Sequence, residues 1–372
     1  MRIYLDNAAT TPALPEVCDL VVRCLREDFG NPSSSHRLGM AAAARVKHAR
    51  AQLVAALGDG QIVFTGGGTE ANALAILGAA RRGREASIVV SAVEHPSVMA
   101  TAEKAGRVVV VPVGADGVVA PADVADAVGP DTAVVAIMLV QNEIGTIQPV
   151  AEIARLVHAK NDRVHVHCDA VQAVGKIPVS APALGVDSLA VSAHKLHGPK
   201  GAGALWLRRG KTLAPLWTGG GQEDGLRSGT ENVPGIAGLG EAVARAVATL
   251  DAAAARMAHL RDRLVATLVA ATGAHVNGGA APRAPHIASL SLPGVPAEPL
   301  LHAIEERGVY VSAGSACHSG AHKKSHVLEA IGVPDGAGTI RVSLSRLTTS
   351  EEIEAAEHAI VGAVRDLAQL LP

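Results

Sequence analysis

The chain has 372 residues, of which 48% are hydrophobic and 2% are aromatic, and its formal net charge is −2. This length and apolar content predict two domains with cores built from Ala, Val, Leu and Ile. The balanced charge argues against a nucleic-acid or anionic-membrane partner, and the longest apolar runs, such as 133–140, are too short to cross a bilayer. The opening MRIYLDNAATTP lacks the pattern of a signal peptide and no cysteines form a CxxC pair, so we expect a cytoplasmic protein with free thiols.

Short β-rich runs alternate with helical stretches from about residue 60 to 210. The predicted strands are 61–65, 86–92, 107–113, 132–140, 163–169, 188–193 and 203–208, and the predicted helices between them begin near Thr69, Pro96, Pro121 and Val150. Apolar strands that alternate with helices predict an α/β fold with a mostly parallel sheet covered on both faces. Ligands bind such sheets beyond the carboxyl ends of the strands.

The C-terminal part has a different pattern. An Ala-rich helical stretch at about 235–272 precedes strands at 286–294, 308–317 and 339–345, and helices are predicted at 297–307 and from Ser350. This pattern predicts a smaller α+β domain onto which the N-terminal segment packs. We therefore expect a large domain over 15–250 and a small domain made of 1–14 plus 251–372.

Two segments carry the first candidates for chemistry. Lys195 follows a predicted strand in VSAHKLHGPKGAGALW; it is either a surface lysine or an amine that forms a Schiff base with an aldehyde cofactor. FTGGGTEANALAI (64–76) joins a strand, a glycine turn and a helix start, which favours a bound phosphate. The alternative is an ordinary turn that Thr69 caps, and the lack of GxGxxG or GK[ST] argues against a nucleotide.

Other polar residues also lie at or just after the ends of predicted strands. Asp169 and Gln172 lie in VHCDAVQAVGK, where a buried carboxylate needs a cationic partner such as a pyridinium nitrogen, or else caps a helix. His95 could stack on a flat ring or move a proton, or simply begin a helix before Pro96. Asn142 follows a further strand.

The last two candidate segments are a glycine-rich loop and a cysteine. In the loop GGGQEDGLRSGTEN (219–232), Ser228 and Thr230 could donate to a phosphate. Cys317 stands among small residues in SAGSACHSG, as an accessible nucleophilic thiol would, although a lone cysteine is more often inert.

A metal site is a further hypothesis for the region after Cys317 and for one strand. Four residues have side chains of the kinds that bind zinc: Cys317, His318, His322 and His326. A structural zinc would, however, make the thiol of Cys317 unreactive. The histidines of HVHCD (165–169) alternate along a strand, and burial explains them better. We therefore predict no metal.

Together these motifs resemble one family nearly from end to end. The motifs YLDNAATTP, GNPSSSH, TGGGTEAN, EH, QNEIGTIQP, DAVQAVGK, SAHKLHGPKG, GGGQEDGLRSGTEN, SAGSACHSG and IRVSLSRLTTSEEI occur in this order. The set is similar to the cysteine desulfurases of the NifS/IscS kind, which are pyridoxal-phosphate enzymes of the class-V aminotransferase group with fold type I. The resemblance implies a seven-stranded large domain and conversion of L-cysteine to L-alanine.

The resemblance also implies a role for each candidate. Lys195 carries the Schiff base and moves the Cα proton, Asp169 pairs with the pyridine nitrogen, and Gln172 hydrogen-bonds the ring's phenolic oxygen. His95 is implied as a third catalytic residue, which stacks on the ring and handles the proton of the substrate thiol. The phosphate is held by Gly68, Thr69, Ser192 and His194, and by Thr230 of a neighbouring subunit, so a homodimer with shared active sites is implied. Asn142 and Arg341 hold the cofactor–substrate adduct, with Arg341 on the substrate carboxylate. Cys317 becomes the persulfide.

The sulfur acceptor stays open at this point. The chain has His322-Lys323-Lys324 where relatives usually have Leu-Glu-Pro, a change that bears on acceptor docking. An iron–sulfur scaffold, a tRNA-thiolation protein and other sulfur pathways all fit. The alternatives for the activity are a selenocysteine lyase, another class-V aminotransferase or epimerase, and a non-catalytic binding protein with the same fold.

Overall fold

The structure is a computed structural model of the chain, and it describes residues 2–80, 86–279, 281–313, 325–334 and 336–370. In these ranges the strands are β1 Ile3–Tyr4, β2 Gln61–Thr65, β3 Ser87–Ser91, β4 Arg107–Val111, β5 Thr132–Met138, β6 His165–Asp169, β7 Ser188–Ser192, β8 Gly203–Leu207, β9 His275–Val276, β10 Ile287–Leu292, β11 Val309–Tyr310 and β12 Gly338–Ser343. The helices are α1 Pro15–Arg26, α2 Arg37–Leu57, α3 Gly68–Ala80, α4 Pro96–Ala105, α5 Pro121–Ala127, α6 Val150–Lys160, α7 Ala181–Leu184, α8 Val233–Ala248, α9 Leu250–Thr272, α10 Ala297–Glu306, α11 His326–Ala330 and α12 Ser350–Leu370.

The central feature is a seven-stranded sheet in the order β2-β8-β7-β6-β5-β3-β4. Neighbouring strands run parallel from β7 through to β4, whereas β8 is antiparallel to both β7 and β2. All seven predicted strands are present, and their ends differ from the prediction by two residues at most. The predicted mostly parallel seven-stranded sheet is confirmed.

Helices cover both faces of this sheet. Along β5, Val135 and Ile137 pack in one buried cluster with Ile153 of α6, whereas Val134 and Ala136 pack in another with residues of α3. Successive side chains of a strand point to opposite faces, so a sheet that is buried on both sides needs apolar residues at nearly every position. This burial explains the continuous apolar runs in the sequence.

A second core forms around the C-terminal strands. Ile3 and Leu5 of the N-terminal segment join residues of α9, α10, α12, β10 and β12 in it, and β1 pairs in parallel with β11. A three-stranded sheet has the order β12-β10-β9. The N-terminal segment therefore packs onto the C-terminal part, as expected.

The Ala-rich stretch 235–272 is two helices rather than one. They meet at Thr249, whose φ of −123° and ψ of 19° are not helical, and their axes differ by 74°. The break lies beside the expected domain limit at 250, and the division into 15–250 and 1–14 plus 251–372 stays a prediction. Over the described residues no single helix has both the length and the apolar character to span a membrane, and only the bent pair α8 and α9 would meet those criteria together.

Candidate functional site

The carboxyl ends of the parallel strands open into a cavity of about 380 Å³. The turns after β2, β3, β5, β6 and β7 supply most of its wall, and β12 and the N-terminal segment close it from the other side. Ten of the predicted site residues line it: Gly68, Thr69, His95, Asn142, Asp169, Gln172, Ser192, His194, Lys195 and Arg341. The structure thus brings together residues that lie as far as 273 positions apart in the chain.

Lys195 ends a single 3₁₀ turn directly after β7. Its Nζ donates hydrogen bonds to the carbonyl oxygens of Ala8 and Ala9, each at 2.7 Å. These two carbonyls come from YLDNAATTP, which Asn7 holds in place by donating to the carbonyl of Ser343 at 2.9 Å. Lys195 is therefore a half-buried amine on the cavity wall, and the alternative of a surface lysine is wrong.

Asp169 is the last residue of β6, and only 6% of it is exposed. One carboxylate oxygen accepts from Asn72 Nδ2 at 2.7 Å, and the other accepts from the Val171 amide at 3.0 Å. Residues 171–176 form turns rather than a helix, so Asp169 does not cap a helix. It offers a buried negative charge to a cation in the cavity.

His95 is the N-cap of α4 and also lines the cavity, so its place at the start of a helix is compatible with a role in the site. Its Nδ1 accepts from the Ser97 amide at 3.1 Å. Burial, with help from the charge of Lys195 and against the effect of Asp169, lowers the pKa of His95 below 6.5. At neutral pH the ring is therefore uncharged and carries its proton on Nε2.

The turn after β2 forms a close-fitting wall at the start of α3. A Cβ atom at Gly68 would lie 2.7 Å from Cγ2 of Val171 and 3.4 Å from Cβ of Ser192. Only glycine allows this approach, which leaves the amides of the first turn of a 13-residue helix open to the cavity. Together with the hydroxyls of Thr69 and Ser192, this wall suits an anion such as a phosphate.

His194 stands beside this wall with a hydrogen bond of 3.1 Å between its Nδ1 and the hydroxyl of Thr10. Burial and then the neighbouring charge of Lys195 lower the pKa of His194 to about 4. His194 is therefore neutral and can meet an anion only as a hydrogen-bond donor.

Gln172 is 4% exposed and donates from Nε2 to the carbonyl of Ala8 at 2.8 Å. Its Oε1 lies 3.3 Å from Nε2 of His286, which is fully buried. The pKa of His286 is well below 6.5 because of this burial, so the ring is neutral and orients the amide by donating to it. His286 carries no motif signal beyond its place before β10, so the sequence alone does not indicate its role.

Arg341 lies in β12 and is 3% exposed. Its two terminal nitrogens donate to Asp6 at 2.6 Å and to the carbonyl of Asn142 at 3.0 Å. Its Nε has no hydrogen-bond partner among the described residues. A guanidinium has five N–H groups, so Arg341 retains donors for a carboxylate. The structure thus adds Asp6, which the sequence analysis missed, as the group that positions this arginine.

Ser325, the N-cap of α11, and His326, its first residue, also form part of the cavity wall. The hydroxyl of Ser325 donates to Glu143 at 2.6 Å, and Nε2 of His326 donates to the carbonyl of Glu94 at 2.9 Å. Ser325, His326 and Glu143 all line the cavity, although the sequence analysis gave none of them a role in this site. They anchor the chain directly after residues 314–324.

Three predicted residues of that region, Cys317, His318 and His322, lie outside the described residues. His326 is the only described member of the suggested metal-binding group, and no three potential metal ligands gather elsewhere in the described ranges. Thr230 is exposed and does not line the cavity.

Comparisons with known proteins agree with one another. The family model for aminotransferase class-V matches residues 3–356. A cysteine desulfurase, IscS, from Methanosarcina thermophila is 39% identical over 100% of this chain and 94% of its own. A solved NifS-like protein superposes with a TM-score of 0.92 at 38% identity, covering 99% of this chain and 100% of its own. The structure of SspA in complex with cysteine has a TM-score of 0.82 at 31% identity, covering 93% of this chain and 100% of its own.

These similarities span the strands, the cavity and the C-terminal core, so they cover the whole fold rather than one motif. The chain therefore belongs to the class-V aminotransferase family, in its group of cysteine desulfurases, and has their fold type I.

Proposed function

We propose that this protein is a cysteine desulfurase that holds pyridoxal 5′-phosphate, converts L-cysteine to L-alanine and passes the sulfur to an acceptor. The observation that carries the proposal is the convergence of Lys195, Asp169, His95 and Arg341 on one cavity. These side chains supply an amine, an anion, a flat ring and a guanidinium. Family membership and the cysteine recorded with a similar structure support the choice of substrate.

The donor set around the cavity fits pyridoxal phosphate. Lys195 supplies the amine for its aldehyde, and Asp169 supplies a buried carboxylate for a protonated ring nitrogen. The amide of Gln172 suits the ring's phenolic oxygen, and Gly68 leaves room for the phosphate at the start of α3. When bound, the cofactor would supply an electron sink for chemistry at the substrate's Cα.

The phosphate would be held mainly by neutral donors. Thr69 and Ser192 supply hydroxyls, and His194, which is uncharged at neutral pH, supplies one N–H. The amides and dipole at the start of α3 add further attraction.

The substrate would be oriented by its carboxylate. Arg341 is buried, and its guanidinium is held in place by Asp6. A substrate carboxylate that accepts from the remaining N–H groups would therefore bind at little cost in side-chain conformational entropy. Asn142 lines the same part of the cavity, and its carbonyl accepts from Arg341.

His95 would act as a stacking surface and a proton donor. Its Nδ1 is committed to the Ser97 amide, so the cavity meets a neutral ring with a proton on Nε2. Uptake of a proton by His95 would require loss of the contact that begins α4.

Cys317 would accept the sulfur. Its thiolate attacks the substrate's sulfur atom, the C–S bond breaks, and Cys317 is left as a persulfide while the carbon product becomes L-alanine after protonation. Ser325, eight positions after Cys317, lines the cavity. A short stretch of chain therefore separates the nucleophile from the site it must reach.

The proposal extends to partners and location. Thr230 is exposed and away from the cavity of its own chain, as expected of a residue that completes the phosphate site of a second subunit in a homodimer. A protein acceptor would take the persulfide sulfur. Cys18, Cys24 and Cys168 are all free thiols, which favours a reducing, cytoplasmic location.

The test is turnover of L-cysteine with a reductant by the wild type, by Cys317→Ser and by Cys18→Ser. Cys18 is an exposed free thiol and serves as the matched control. We expect equal amounts of alanine and sulfide from the wild type and from Cys18→Ser, and loss of sulfide release in Cys317→Ser. Lys195→Ala should also lose the visible absorbance that the cofactor gives when bound to the lysine.

Other results would redirect the assignment. If Cys317→Ser releases sulfide like the wild type, Cys317 is not the sulfur carrier and another class-V activity replaces the proposal. If the wild type gains no chromophore with added pyridoxal phosphate, the chain is a binding protein of the same fold.

A further inference from the structure

A row of buried hydrogen bonds continues from Asp169 into the protein. Asn72 Nδ2 lies 2.7 Å from the carboxylate of Asp169, and Asn72 Oδ1 lies 3.0 Å from Nε2 of His167. Nδ1 of His167 is 2.8 Å from the hydroxyl of Ser188, which is 2.7 Å from Nε2 of His165. Every member is at most 6% exposed. We define Asn72, His167, Ser188 and His165 as the aspartate row.

The geometry of β6 creates this row. His165, His167 and Asp169 are spaced by two residues, so their side chains share one face of the strand. Ser188 stands directly opposite His167 in the neighbouring β7. Asn72 reaches the same face from α3, whose first turn belongs to the wall that suits a phosphate. The alternating histidines of HVHCD are thereby accounted for without a metal.

Only one placement of protons satisfies the row. The carboxylate of Asp169 accepts, so Asn72 must present its NH₂ group there and its oxygen to His167. His167 must then carry its proton on Nε2 and accept at Nδ1 from the hydroxyl of Ser188. The oxygen of Ser188 in turn accepts from His165. Burial lowers the pKa of His167 to about 3, so this ring is neutral as the arrangement requires.

The second proton of the Asn72 amide strengthens the same orientation. It points to the hydroxyl of Ser97 at 2.9 Å, and that hydroxyl is 2.8 Å from Nδ1 of His95. A flip of Asn72 would place its oxygen against the carboxylate of Asp169 and its NH₂ group against the N–H of His167. Both contacts would become repulsive, so the amide has one stable position.

We propose that the aspartate row positions Asp169, holding its carboxylate in one orientation toward the ring nitrogen of the bound cofactor. Its members are positioning residues, because they act through Asp169 and not on the substrate. The inference depends on the proposed cofactor but not on the proposed substrate. If His167 is removed, Asn72 loses the donor that fixes its amide and Asp169 loses a fixed partner.

The test compares two cofactors in wild type and His167→Phe. Binding to the apoprotein is measured by absorbance for pyridoxal phosphate and for its analogue with C–H in place of the ring nitrogen. We expect His167→Phe to weaken binding of pyridoxal phosphate by about 10-fold to 100-fold, the range typical when the hydrogen-bonded partner behind a metal ligand is removed, because Asp169 is held in the same way. The analogue lacks the nitrogen that Asp169 meets, so the affinity of the variant for it should match that of the wild type within about twofold.

Val166→Ala is the matched control. Val166 lies between the two histidines on the opposite face of β6 and is 1% exposed, so its truncation lowers stability without touching the row. It should leave the ratio of the two affinities unchanged. Ser188→Ala is a milder second variant for use if His167→Phe does not fold, and it should change the ratio in the same direction.

Equal losses for both cofactors in His167→Phe would show a merely structural role and overturn the inference. So would unchanged binding of pyridoxal phosphate. A wild type that binds neither cofactor would instead refute the proposed cofactor, and that result is visible before any variant is compared. Sulfide release plays no part in this test, so failure of the proposed substrate is separately detectable.

Discussion

Lys176 offers the sharpest test of the energetics of this protein. It is 7% exposed, and its Nζ has no hydrogen-bond partner among the described residues. Burial, with a smaller effect from the charge of Lys195, lowers the pKa of Lys176 from 10.5 to about 7. The charged form is therefore disfavoured in the folded protein, and we expect Lys176→Met to be more stable than the wild type at neutral pH.

The magnitude follows from the difference between the two pKa values of Lys176. At about 1.4 kcal/mol per pKa unit, the buried amine destabilises the folded state by about 4 kcal/mol at pH 7. The unfolded chain binds a proton at Lys176 up to pH 10.5, whereas the folded protein releases it near pH 7. The penalty is therefore full below pH 7, and it diminishes as the pH rises toward 10.5.

The assay is urea unfolding of wild type and Lys176→Met at pH 7, 8 and 9. The stability difference should be largest at pH 7 and should shrink by about 1.4 kcal/mol per pH unit. Lys104→Met, at an exposed position on α4, is the control and should change stability by less than about 0.5 kcal/mol. A Lys176→Met protein that is less stable than the wild type, or a difference independent of pH, would refute this reasoning.

Two further predictions concern the buried residue Glu94 and the cavity wall at Gly68. Burial raises the pKa of Glu94 from 4.5 to about 8, so the wild type should lose stability as the pH rises from about 4.5 to 8. Glu94→Gln should lack most of this loss when thermal unfolding is measured as a function of pH. A variant with the same pH profile as the wild type would contradict the assignment. Gly68→Ala places a methyl group 2.7 Å from Val171 and should weaken binding of pyridoxal phosphate about tenfold. Adding Val171→Ala should restore most of the affinity. Equal binding by Gly68→Ala and wild type would show that the side chain of Val171 moves aside at little energetic cost.

Local patterns in the sequence predicted most of the fold. The seven strands of the central sheet were recognisable because a strand buried on both faces must be apolar at nearly every position, and helices between them begin at Pro96 and Pro121 as predicted. The sequence did not reveal the break at Thr249 inside the Ala-rich stretch, because alanine favours helix throughout and no glycine or proline marks the bend.

The types of residue in the candidate site were also predictable from local patterns. Lys195 and His95 follow strands and Asp169 ends one, and in a parallel sheet those strand ends meet at one edge. Their order along the chain, together with the other motifs, is enough to indicate the family. What the sequence by itself determined was therefore which groups the protein has and at which edge of the sheet they gather.

The tertiary structure decided how those groups are held. The carbonyls that bind Lys195 lie 186 and 187 residues away in the chain, Asp6 is 335 residues from Arg341, and Asn72 is 97 residues from Asp169. The spacing of apolar residues in strands and helices follows from local backbone geometry, so it can be recognised within a single segment of the sequence. Contacts between distant segments depend on which buried polar groups must satisfy each other, and that is settled only when the segments pack together.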